Sequence, residues 1–403
     1  MNKFKRYFRT TLAQFLNLAQ LVIPTSDSVT VYGAPTTEGN AVEMIRGLAA
    51  RYSGRIYVLC DKPEDYFIRP SLVNVTFVRR HSIKGYWHYL RSEVAFFTHG
   101  YYGRVRTKSG KLLVNLWHGE GIKINGAARA TLKPVLPANF VVGSTVRCTE
   151  EKTIDFKLPA EAALVTGNPR TAQFYDEISI SQRHAIGLDD RKYIVWMPTF
   201  RSSTFTHDGY SSSKFGLREQ AERVLHACLE HDFQLVIKAH RQDAEVRDID
   251  GAISLTDELL SSNGISLYSV LGSSAGLISD YSSVWIDYLL LSRPIGFLIP
   301  DIDQYVSSRG LLFGDLREWM PGLDISDPAN LQRFIEEASG LKGSFNSQEL
   351  RERAAHMLGL NWTPTPGDDL ITRLATLGAF THGSICDPTA RRSISVFQRG
   401  AHG

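Results

Sequence analysis

The feature that most restricts the fold of this chain is a regular alternation of short β-rich runs with helical stretches. It covers most of the 403 residues and forms two successive series, the second beginning after about residue 185. The predicted strands are Val29–Tyr32, Ile56–Cys60, Val75–Val78, Ala95–Thr98, Leu112–Trp117 and Phe140–Val142, then Tyr193–Met197, Leu235–Lys238, Gly276–Ser279 and Ile295–Ile299. The clearest predicted helices are Ala41–Tyr52, Leu217–Glu230, Ser282–Leu291 and Leu331–Ala338. Strands that alternate with helices form parallel sheets covered by helices, so we expect an α/β fold with two Rossmann-like domains.

The length of the chain agrees with two domains, because one hydrophobic core rarely serves so many residues. We expect a helix over residues 1–24, an N-terminal Rossmann-like domain over 25–180, a second such domain over 181–345, and C-terminal helices with a mobile tail over 346–403. Ligands of such sheets bind beyond the carboxyl ends of the strands. The functional residues are therefore expected there, along a central cleft that the two domains face.

Composition excludes several classes of function. The formal net charge of +3 is too small to indicate a nucleic-acid partner. The four cysteines are far apart and form no CxxC pair, which argues against a zinc site or a disulfide framework and fits a reducing cytosol. No HxH or HExxH spacing and no acidic cluster occurs, so no metal and no obligatory cofactor is predicted. No apolar run approaches the roughly 20 residues needed to span a bilayer.

The N-terminal segment Met1–Pro24 has the composition of a basic amphipathic helix. Its cations are Lys3, Lys5, Arg6 and Arg9, and its apolar residues at helical spacing are Phe4, Phe8, Leu12, Phe15, Leu16 and Ala19. Such a helix can lie on an anionic membrane surface. It can equally pack its apolar face on its own domain. The first interpretation predicts a cytoplasmic protein with peripheral contact to the inner leaflet of the cell membrane.

His118 is the first candidate catalytic residue. It follows the predicted strand Leu112–Trp117 and stands before Gly119 and Gly121, which allow close approach of backbone or ligand. An imidazole titrates near neutral pH and can remove a proton from an acceptor hydroxyl. The alternative is a histidine that is hydrogen-bonded in a tight turn.

A group of cations follows other predicted strands. Lys238, His240 and Arg241 come at the end of one strand, and Arg170 and Arg201 each lie just past another. Cations and directional donors in such positions suit a diphosphate. Each could instead be a solvated or salt-bridged surface residue.

The third candidate element is the stretch from Gly276 to Leu291, in which a strand leads through a turn into a helix. Ser282 and Ser283 stand at the predicted helix start, where free backbone N–H groups and hydroxyls can bind phosphate. A purely structural cap would use the same residues. Asp280 and Asp287 flank the two serines and are candidate orienting residues.

The order of these motifs resembles that of the CDP-glycerol:polyglycerophosphate glycerophosphotransferase family. The resemblance covers roughly residues 110 to 325, and its most specific part is Ile278–Tyr305. The motifs that carry it, in order, are Trp117-His118-Gly119, Gly167-Asn168-Pro169-Arg170, Pro198-Thr199-Phe200-Arg201, Ile237-Lys238-Ala239-His240, Ser279-Asp280-Tyr281-Ser282-Ser283 and Arg309-Gly310-Leu311-Leu312-Phe313.

The resemblance implies a fold of the glycosyltransferase B type and a role in teichoic-acid or capsule synthesis at the cell wall. It implies transfer of glycerol phosphate or ribitol phosphate from CDP-glycerol or CDP-ribitol to a glycan or lipid-linked glycan, with release of CMP. His118 matches the histidine implicated as catalytic base, and His240 matches the second histidine, beside the donor diphosphate. The residues that match the donor side are Ser282, Ser283, Arg170 and Arg201.

The chain departs from the family pattern at three places. Glu120 and Gly121 follow Gly119 where the family usually has threonine, often followed by proline. Arg241 replaces a usual proline, and Ser279 replaces a usual threonine. These departures leave the donor alcohol and the acceptor open. Glu120 would either orient the presumed base or select a different acceptor. The alternative functions are a UDP-hexose glycosyltransferase of the same fold and a non-catalytic glycan-binding protein.

Overall fold

The computed structural model describes residues 3–69, 74–100, 102, 105, 108–123, 137–199, 217–239, 249–341, 345–381, 383–386 and 395–398. The chain divides into two compact units. The first comprises Met1–Gly119, Ala127–Gln173 and Asn361–Gly403, and the second Glu120–Gly126 and Phe174–Leu360. The predicted boundary after residue 180 lies seven residues beyond this division at Gln173. The region 346–403, expected as one C-terminal segment, is shared between the two units.

A seven-stranded parallel sheet forms the centre of the first unit. The strands of this unit are β1 (Ser26–Tyr32), β2 (Arg55–Cys60), β3 (Tyr66–Arg69), β4 (Val75–Arg79), β5 (Ser92–Phe97), β6 (Leu112–Asn115), β7 (Phe140–Val142) and β8 (Ala163–Leu164). Their order in the sheet is β4-β2-β1-β5-β6-β7-β8, from which β3 is absent. Every residue of β5 is buried, as expected of a strand covered on both faces.

The helices of the first unit cover both faces of its sheet. Among the described residues before Gln173 they are α1 (Lys3–Val22), α2 (Gly39–Arg51), α3 (Ile83–Arg91) and α4 (Val146–Phe156). Side-chain caps mark where three of them start, since an oxygen of Glu38, Ser82 or Thr145 accepts from a backbone N–H of the first turn.

The pleat of β1 separates two hydrophobic clusters. Val29 and Val31 pack with Met44 and Leu48 of α2, whereas Tyr32 belongs to a second cluster with Tyr89 of α3. Leu16 and Ala13 of α1 are buried in this second cluster, and Leu12 and Ala19 pack against it. The helix therefore packs on its own unit, as the second interpretation of the N-terminal segment expects.

The opposite side of α1 is apolar and exposed. Its relative exposures are 64% for Phe15, 67% for Leu18, 74% for Leu21 and 81% for Val22. None of the helices among the described residues is long and apolar enough to cross a membrane. Packing on the first unit thus accounts for one side of α1 only, and membrane contact stays a prediction.

The second unit is built on a six-stranded parallel sheet. Its strands are β9 (Lys192–Trp196), β10 (Phe233–Ile237), β11 (Ile253–Ser254), β12 (Gly276–Ser279), β13 (Ile295–Phe297) and β14 (Leu323–Asp324), in the order β11-β10-β9-β12-β13-β14. Its helices are α5 (Ile180–Ala185), α6 (Leu217–Glu230), α7 (Asp257–Ser262), α8 (Leu267–Ser273), α9 (Val284–Tyr288), α10 (Ile302–Arg309), α11 (Pro328–Ser339) and α12 (Gln348–Leu358). Val224 and Cys228 of α6 and Phe334 of α11 pack against Trp196 and Ile237 in the core.

The last described segments return to the first unit as α13 (Pro366–Thr376) and β15 (Ser395–Gln398). Leu370, Ile371 and Leu374 of α13 are fully buried in the cluster that contains α2. Arg51 fixes this packing, since its Nη1 donates to the carbonyl of Asp368 at 2.8 Å. The strand β15 pairs antiparallel with β3. The part of the predicted tail that is described is therefore a component of the first unit.

The structure confirms the predicted fold class, with two Rossmann-like parallel sheets in one chain. Each predicted strand is present, although Leu112–Trp117 ends at Asn115 because Trp117 has a left-handed backbone. The predicted helix Ser282–Leu291 starts at Val284 and continues after Tyr288 as a 3₁₀ turn over Leu289–Leu291. The other 3₁₀ turns within the described ranges are Pro63–Asp65, Ala160–Ala162, Pro169–Tyr175 and Leu316–Glu318.

Candidate active site

His118 lies on a tight turn directly after β6. Trp117, the residue before it, has φ +53°, a conformation that is uncommon for a large side chain. Asn115 stabilises the turn, because its Oδ1 accepts from the Trp117 N–H at 3.0 Å. Gly119 then continues at φ +151°, where a side chain would be disfavoured. The Trp-His-Gly sequence therefore produces a sharp bend that places His118 at the carboxyl end of the sheet.

Two side chains from elsewhere in the first unit hold the carbonyl groups of this turn. Asn40, which is fully buried, donates from Nδ2 to the Trp117 carbonyl at 3.0 Å. Arg170 Nη1 donates to the His118 carbonyl at 2.8 Å. Asn40 and Arg170 are also hydrogen-bonded to each other, since Asn40 Oδ1 accepts from the Arg170 N–H at 3.0 Å.

The predicted donor-side residue Arg170 is thus engaged within the first unit. Its guanidinium is mostly buried and its Nη1 lies 3.9 Å from Glu38 Oε1. Gly39 makes this packing feasible, because a Cβ at that position would be 2.8 Å from the Arg170 Cβ. Contact of Arg170 with a donor stays a prediction, and the structure adds a role in shaping the His118 turn.

The environment of His118 favours the neutral imidazole. Although His118 is exposed at the surface, its pKa is lowered to about 4; partial desolvation of the ring is the largest cause, and the neighbouring His99 acts in the same direction. The two rings are stacked, with centroids 4.4 Å apart and planes 12° apart. Nδ1 of His118 lies 3.4 Å from the Thr98 carbonyl. With the proton on Nδ1 directed at Thr98, Nε2 is the nitrogen that can accept a proton.

His99 is a site residue that sequence reasoning missed. It lies 19 residues before His118, and this separation in the sequence gives no indication of contact. The available signal is its position just after a predicted strand, β5, which the structure places beside β6 in the sheet. Burial also lowers the pKa of His99.

In the second unit, Asp280 joins two loops at the carboxyl ends of adjacent strands β9 and β12. Its carboxylate is buried and accepts from the Thr199 N–H at 2.7 Å and from the Thr199 hydroxyl at 2.6 Å. It also accepts from the Ser282 N–H at 3.0 Å. The predicted orienting residue Asp280 therefore fixes the backbone of the serine turn to the loop after β9.

Ser282 and Ser283 are both partly exposed at the start of α9. Ser283 makes no capping hydrogen bond with its side chain, and Ser282 Oγ accepts from Val284 N–H only at 3.5 Å. A purely structural cap would bond the first turn more closely. Phosphate binding by the two serines stays a prediction.

Asp287 lies on the interior side of α9. It is fully buried and accepts from the Tyr268 hydroxyl at 2.6 Å, which connects α9 with α8. Any orienting effect of Asp287 would therefore act through the position of α9 and not by contact with a ligand.

The predicted basic group after β10 is only partly within the described residues. Lys238 Nζ lies 2.9 Å from Asp257 Oδ1, in an ion pair of which the lysine side is mostly buried. His240, Arg241 and Arg201 lie outside the described residues. Their roles stay predictions.

Glu120 is buried and begins the second unit. The residues that follow it pair with the predicted Arg-Gly-Leu-Leu-Phe motif, since Leu312 N–H donates to the Ile122 carbonyl at 2.7 Å and Lys123 bridges to Leu311. Two motifs that the sequence separates widely are thus adjacent. Within the part of the chain that the structure describes, no group of three or more His, Cys, Asp or Glu side chains could hold a metal ion.

Comparison with known proteins identifies the family. The model of the CDP-glycerol:poly(glycerophosphate) glycerophosphotransferase family matches residues 17–356. The chain belongs to this family. The match includes the His118 turn, the Asp280 loop and the whole second sheet.

Characterised relatives of the family are similar over part of their length. A teichoic acid ribitol-phosphate primase of Bacillus spizizenii is 30% identical over 190 residues, which is 45% of this chain and 46% of that protein. A teichoic acid glycerol-phosphate primase of the same species is 28% identical over 249 residues, which is 57% of this chain and 61% of that protein. The matched region of the first of these relatives is therefore about half of its length.

Solved structures of the wall teichoic acid polymerase TagF show the same fold. One of them, soaked with CDPG, has a TM-score of 0.68 and 17% sequence identity, and the match covers 94% of this chain and 99% of that one.

Proposed function

We propose that this protein transfers glycerol phosphate or ribitol phosphate from a CDP-alcohol to a hydroxyl group of a cell-surface glycan or lipid-linked acceptor, with release of CMP. Membership of the glycerophosphotransferase family supports the reaction class. The observation that carries the proposal is the geometry of the His118 turn. Nδ1 of the neutral His118 ring lies against the Thr98 carbonyl, and Arg170 donates to the backbone carbonyl of His118.

In the proposed reaction His118 Nε2 removes the proton of the acceptor hydroxyl. The acceptor oxygen then forms a bond to the β-phosphorus, which bears the alcohol, and the bond from this phosphorus to the bridging oxygen breaks. The bridging oxygen leaves with its electron pair as part of CMP, and His118 holds the proton. Phosphoryl transfer depends chiefly on positioning and charge stabilisation, so a well-placed base and donors for the phosphates are the main requirements.

The second unit would bind the donor. Asp280 fixes the turn that carries Ser282 and Ser283, and both hydroxyls are partly exposed for contact with phosphate oxygens. Lys238, Arg201 and Arg241 would supply positive charge, with His240 beside the diphosphate. The proposed reaction uses these groups without an obligatory metal.

Peripheral contact with the cytoplasmic face of the membrane is part of the proposal. The exposed apolar residues Phe15, Leu18, Leu21 and Val22 lie on α1, which also carries four cations in its first turns. Apolar side chains that enter the boundary of a bilayer, next to cations that attract anionic lipid, are the features of an interfacial helix. Such contact would place the enzyme beside a lipid-linked acceptor.

The test is a product-release assay with the purified protein. It would be incubated with CDP-glycerol, CDP-ribitol and common UDP-sugars, each with a panel of glycan acceptors, and the release of CMP or UDP would be measured. The expected product is CMP from one of the CDP-alcohols, and substitution His118→Ala should reduce turnover by about 10²- to 10⁴-fold while donor binding is retained. His88→Ala is the control, since His88 is stacked on Tyr57 in the same unit. Release of UDP alone, or unchanged turnover in His118→Ala, would contradict the proposal.

A further inference from the structure

A second cluster of polar side chains lies at the same end of the first sheet as His118. Arg80 directly follows β4, and its Nη1 donates to the hydroxyl of Tyr32, the last residue of β1. The guanidinium carbon is 4.4 Å from the centre of the Tyr32 ring and 6.0 Å from that of Tyr102. Tyr102 donates in turn to the Arg80 carbonyl at 2.5 Å. These residues, with His81 and Tyr86, are called here the Arg80 cluster.

The charge of Arg80 is incompletely compensated within its surroundings. Its Nε is buried without a hydrogen-bond partner, and among the described residues no carboxylate forms an ion pair with it. Two aromatic faces stabilise the cation partly. The Arg80 side chain as a whole is partly exposed, and the exposed part of a guanidinium is suited to bind a phosphate oxygen. The carboxylate of Asp61 acts on Tyr32 but is exposed and makes no ion pair with Arg80.

The outer side of the cluster is a surface of rings and hydroxyl groups. The rings of Tyr86 and Tyr102 are 4.9 Å apart, and His81 Nδ1 lies 3.2 Å from the Tyr86 hydroxyl. Tyr86 and Tyr102 are partly exposed and His81 is exposed. Such side chains offer apolar faces to the carbon skeleton of a polyol and donors to its hydroxyl groups.

One residue connects the cluster with the presumed base. The Thr98 N–H donates to the Tyr32 carbonyl at 3.1 Å, and the Thr98 carbonyl lies 3.4 Å from His118 Nδ1. Thr98 follows β5, which lies between β1 and β6 in the sheet. Two strand spacings separate the ends of β1 and β6, a distance of about 10 Å.

We propose that the Arg80 cluster binds the acceptor, with Arg80 on the phosphate of the polyol-phosphate unit next to the reacting hydroxyl and the tyrosines on its hydroxyl groups. The inference rests on the proposed function, because it assumes that the acceptor is a polyol-phosphate chain or carries such a unit. It adds to that function a binding site for the polyol-phosphate unit of the acceptor. The residues of this site are not part of the family motifs.

The experiment compares Arg80→Met with Arg79→Met. Arg79 is the neighbouring residue, is exposed and forms an ion pair with Glu64 at 3.0 Å. The substitution Arg79→Met therefore removes the same charge at a position outside the Arg80 cluster. Binding of a synthetic glycerol-phosphate oligomer and a ribitol-phosphate oligomer would be measured by calorimetry, and acceptor KM and donor KM by transfer kinetics. In Arg80→Met the affinity for the oligomer should fall, and the acceptor KM rise, by roughly 10- to 100-fold, while the donor KM and the Arg79→Met values stay unchanged.

Two further variants keep the test decisive if Arg80→Met is unstable. Arg80→Lys retains the charge and should give an intermediate loss, and Tyr86→Ala removes a partly exposed ring and should weaken oligomer binding. Equal acceptor affinity in the wild type, Arg80→Met and Tyr86→Ala would overturn the acceptor site and leave the proposed function standing. If the wild type releases no CMP, the proposed function fails. The calorimetry still shows whether the Arg80 cluster binds the polyol-phosphate oligomer. Loss of oligomer binding in Arg80→Met, with binding retained in Arg79→Met, would support the acceptor site, and absence of oligomer binding by the wild type would overturn it.

Discussion

Arg170 and Asn40 hold two successive carbonyl groups of one turn, and the N–H of Arg170 is itself bonded to the amide of Asn40. Asn115 also stabilises this turn, in which the Trp117 backbone is left-handed. A side chain placed on such a turn depends on these bonds for its direction. The position of the presumed base is thus set by residues far from it in the sequence.

Substitution Asn40→Ala tests this dependence. It removes the hydrogen bond that Asn40 donates to the partly buried Trp117 carbonyl, a loss of about 0.5–1.5 kcal/mol of stability. We expect kcat to fall by about ten-fold or more, with the donor KM unchanged, because the imidazole loses its direction while the second unit is unaffected. The control is Asn74→Ala, which removes a similar bond to the Tyr52 carbonyl at 3.2 Å in the same unit. A fall in kcat of the same size in both variants would show a general loss of stability and not a specific effect on His118.

The lowered pKa of His118 predicts an unusual pH dependence. Since this pKa is about 4, the imidazole is neutral at pH 5 to 7, and kcat/KM should fall only as the pH approaches 4. Substitution His99→Ala removes a neighbouring ring that lowers the pKa, so the acidic limb of the profile should move to higher pH. A limb that stays at the same pH in His99→Ala would contradict the contribution of the stacked ring.

The same pKa has a consequence for stability, whose sign follows from the direction of the shift. The folded state binds the His118 proton less readily than the unfolded state, whose histidine titrates near 6.5. The contribution of His118 to the free energy of unfolding is therefore fully present above about pH 6.5 and is lost as the pH falls toward 4. Chemical denaturation of the wild type and His118→Ala at pH 7 and pH 5 tests this. The free energy of unfolding should decrease more between pH 7 and pH 5 in the wild type than in His118→Ala.

Substitution Asp280→Ala should affect donor binding. It removes the acceptor of three hydrogen bonds that join the loop after β9 to the serine turn. Bonds to a charged group contribute about 1.5–3 kcal/mol each, so we expect a loss of stability and a rise of at least about ten-fold in the donor KM. The control is Asp327→Ala, which removes the cap of α11 in the same unit. It should lower stability by about 1 kcal/mol and leave the donor KM unchanged.

Charged residues on α1 should abolish membrane contact. The double substitution Leu18→Glu and Leu21→Glu places charges on its exposed side, and neither residue is needed for packing on the first unit. We expect the wild type to sediment with vesicles that contain anionic lipid and the double variant to remain in the supernatant, with unchanged thermal unfolding. Leu229→Glu is the control, because Leu229 is a similarly exposed apolar residue on α6. Equal sedimentation of all three proteins would exclude α1 as the contact.

The sequence predicted the sheets well because their strands are buried on both faces and are therefore continuously apolar. It placed His118, Ser282 and Asp280 correctly at the carboxyl ends of strands, since this depends only on the strand pattern. It could not predict Asn40, which lies 77 residues from Trp117, or the pairing of Asp280 with Thr199 over 81 residues. Such contacts follow from the tertiary fold and leave no local periodicity. The one local indication was Gly39, a small residue at a helix start, where Arg170 packs closely.

The return of α13 to the first unit has a consequence for synthesis on the ribosome. Leu370, Ile371 and Leu374 complete a core whose other members come mostly from the first half of the chain. Translation must pass through the entire second unit before these three side chains emerge. The second unit can therefore fold while the first still exposes an incomplete core, and the base-bearing unit reaches its final state last.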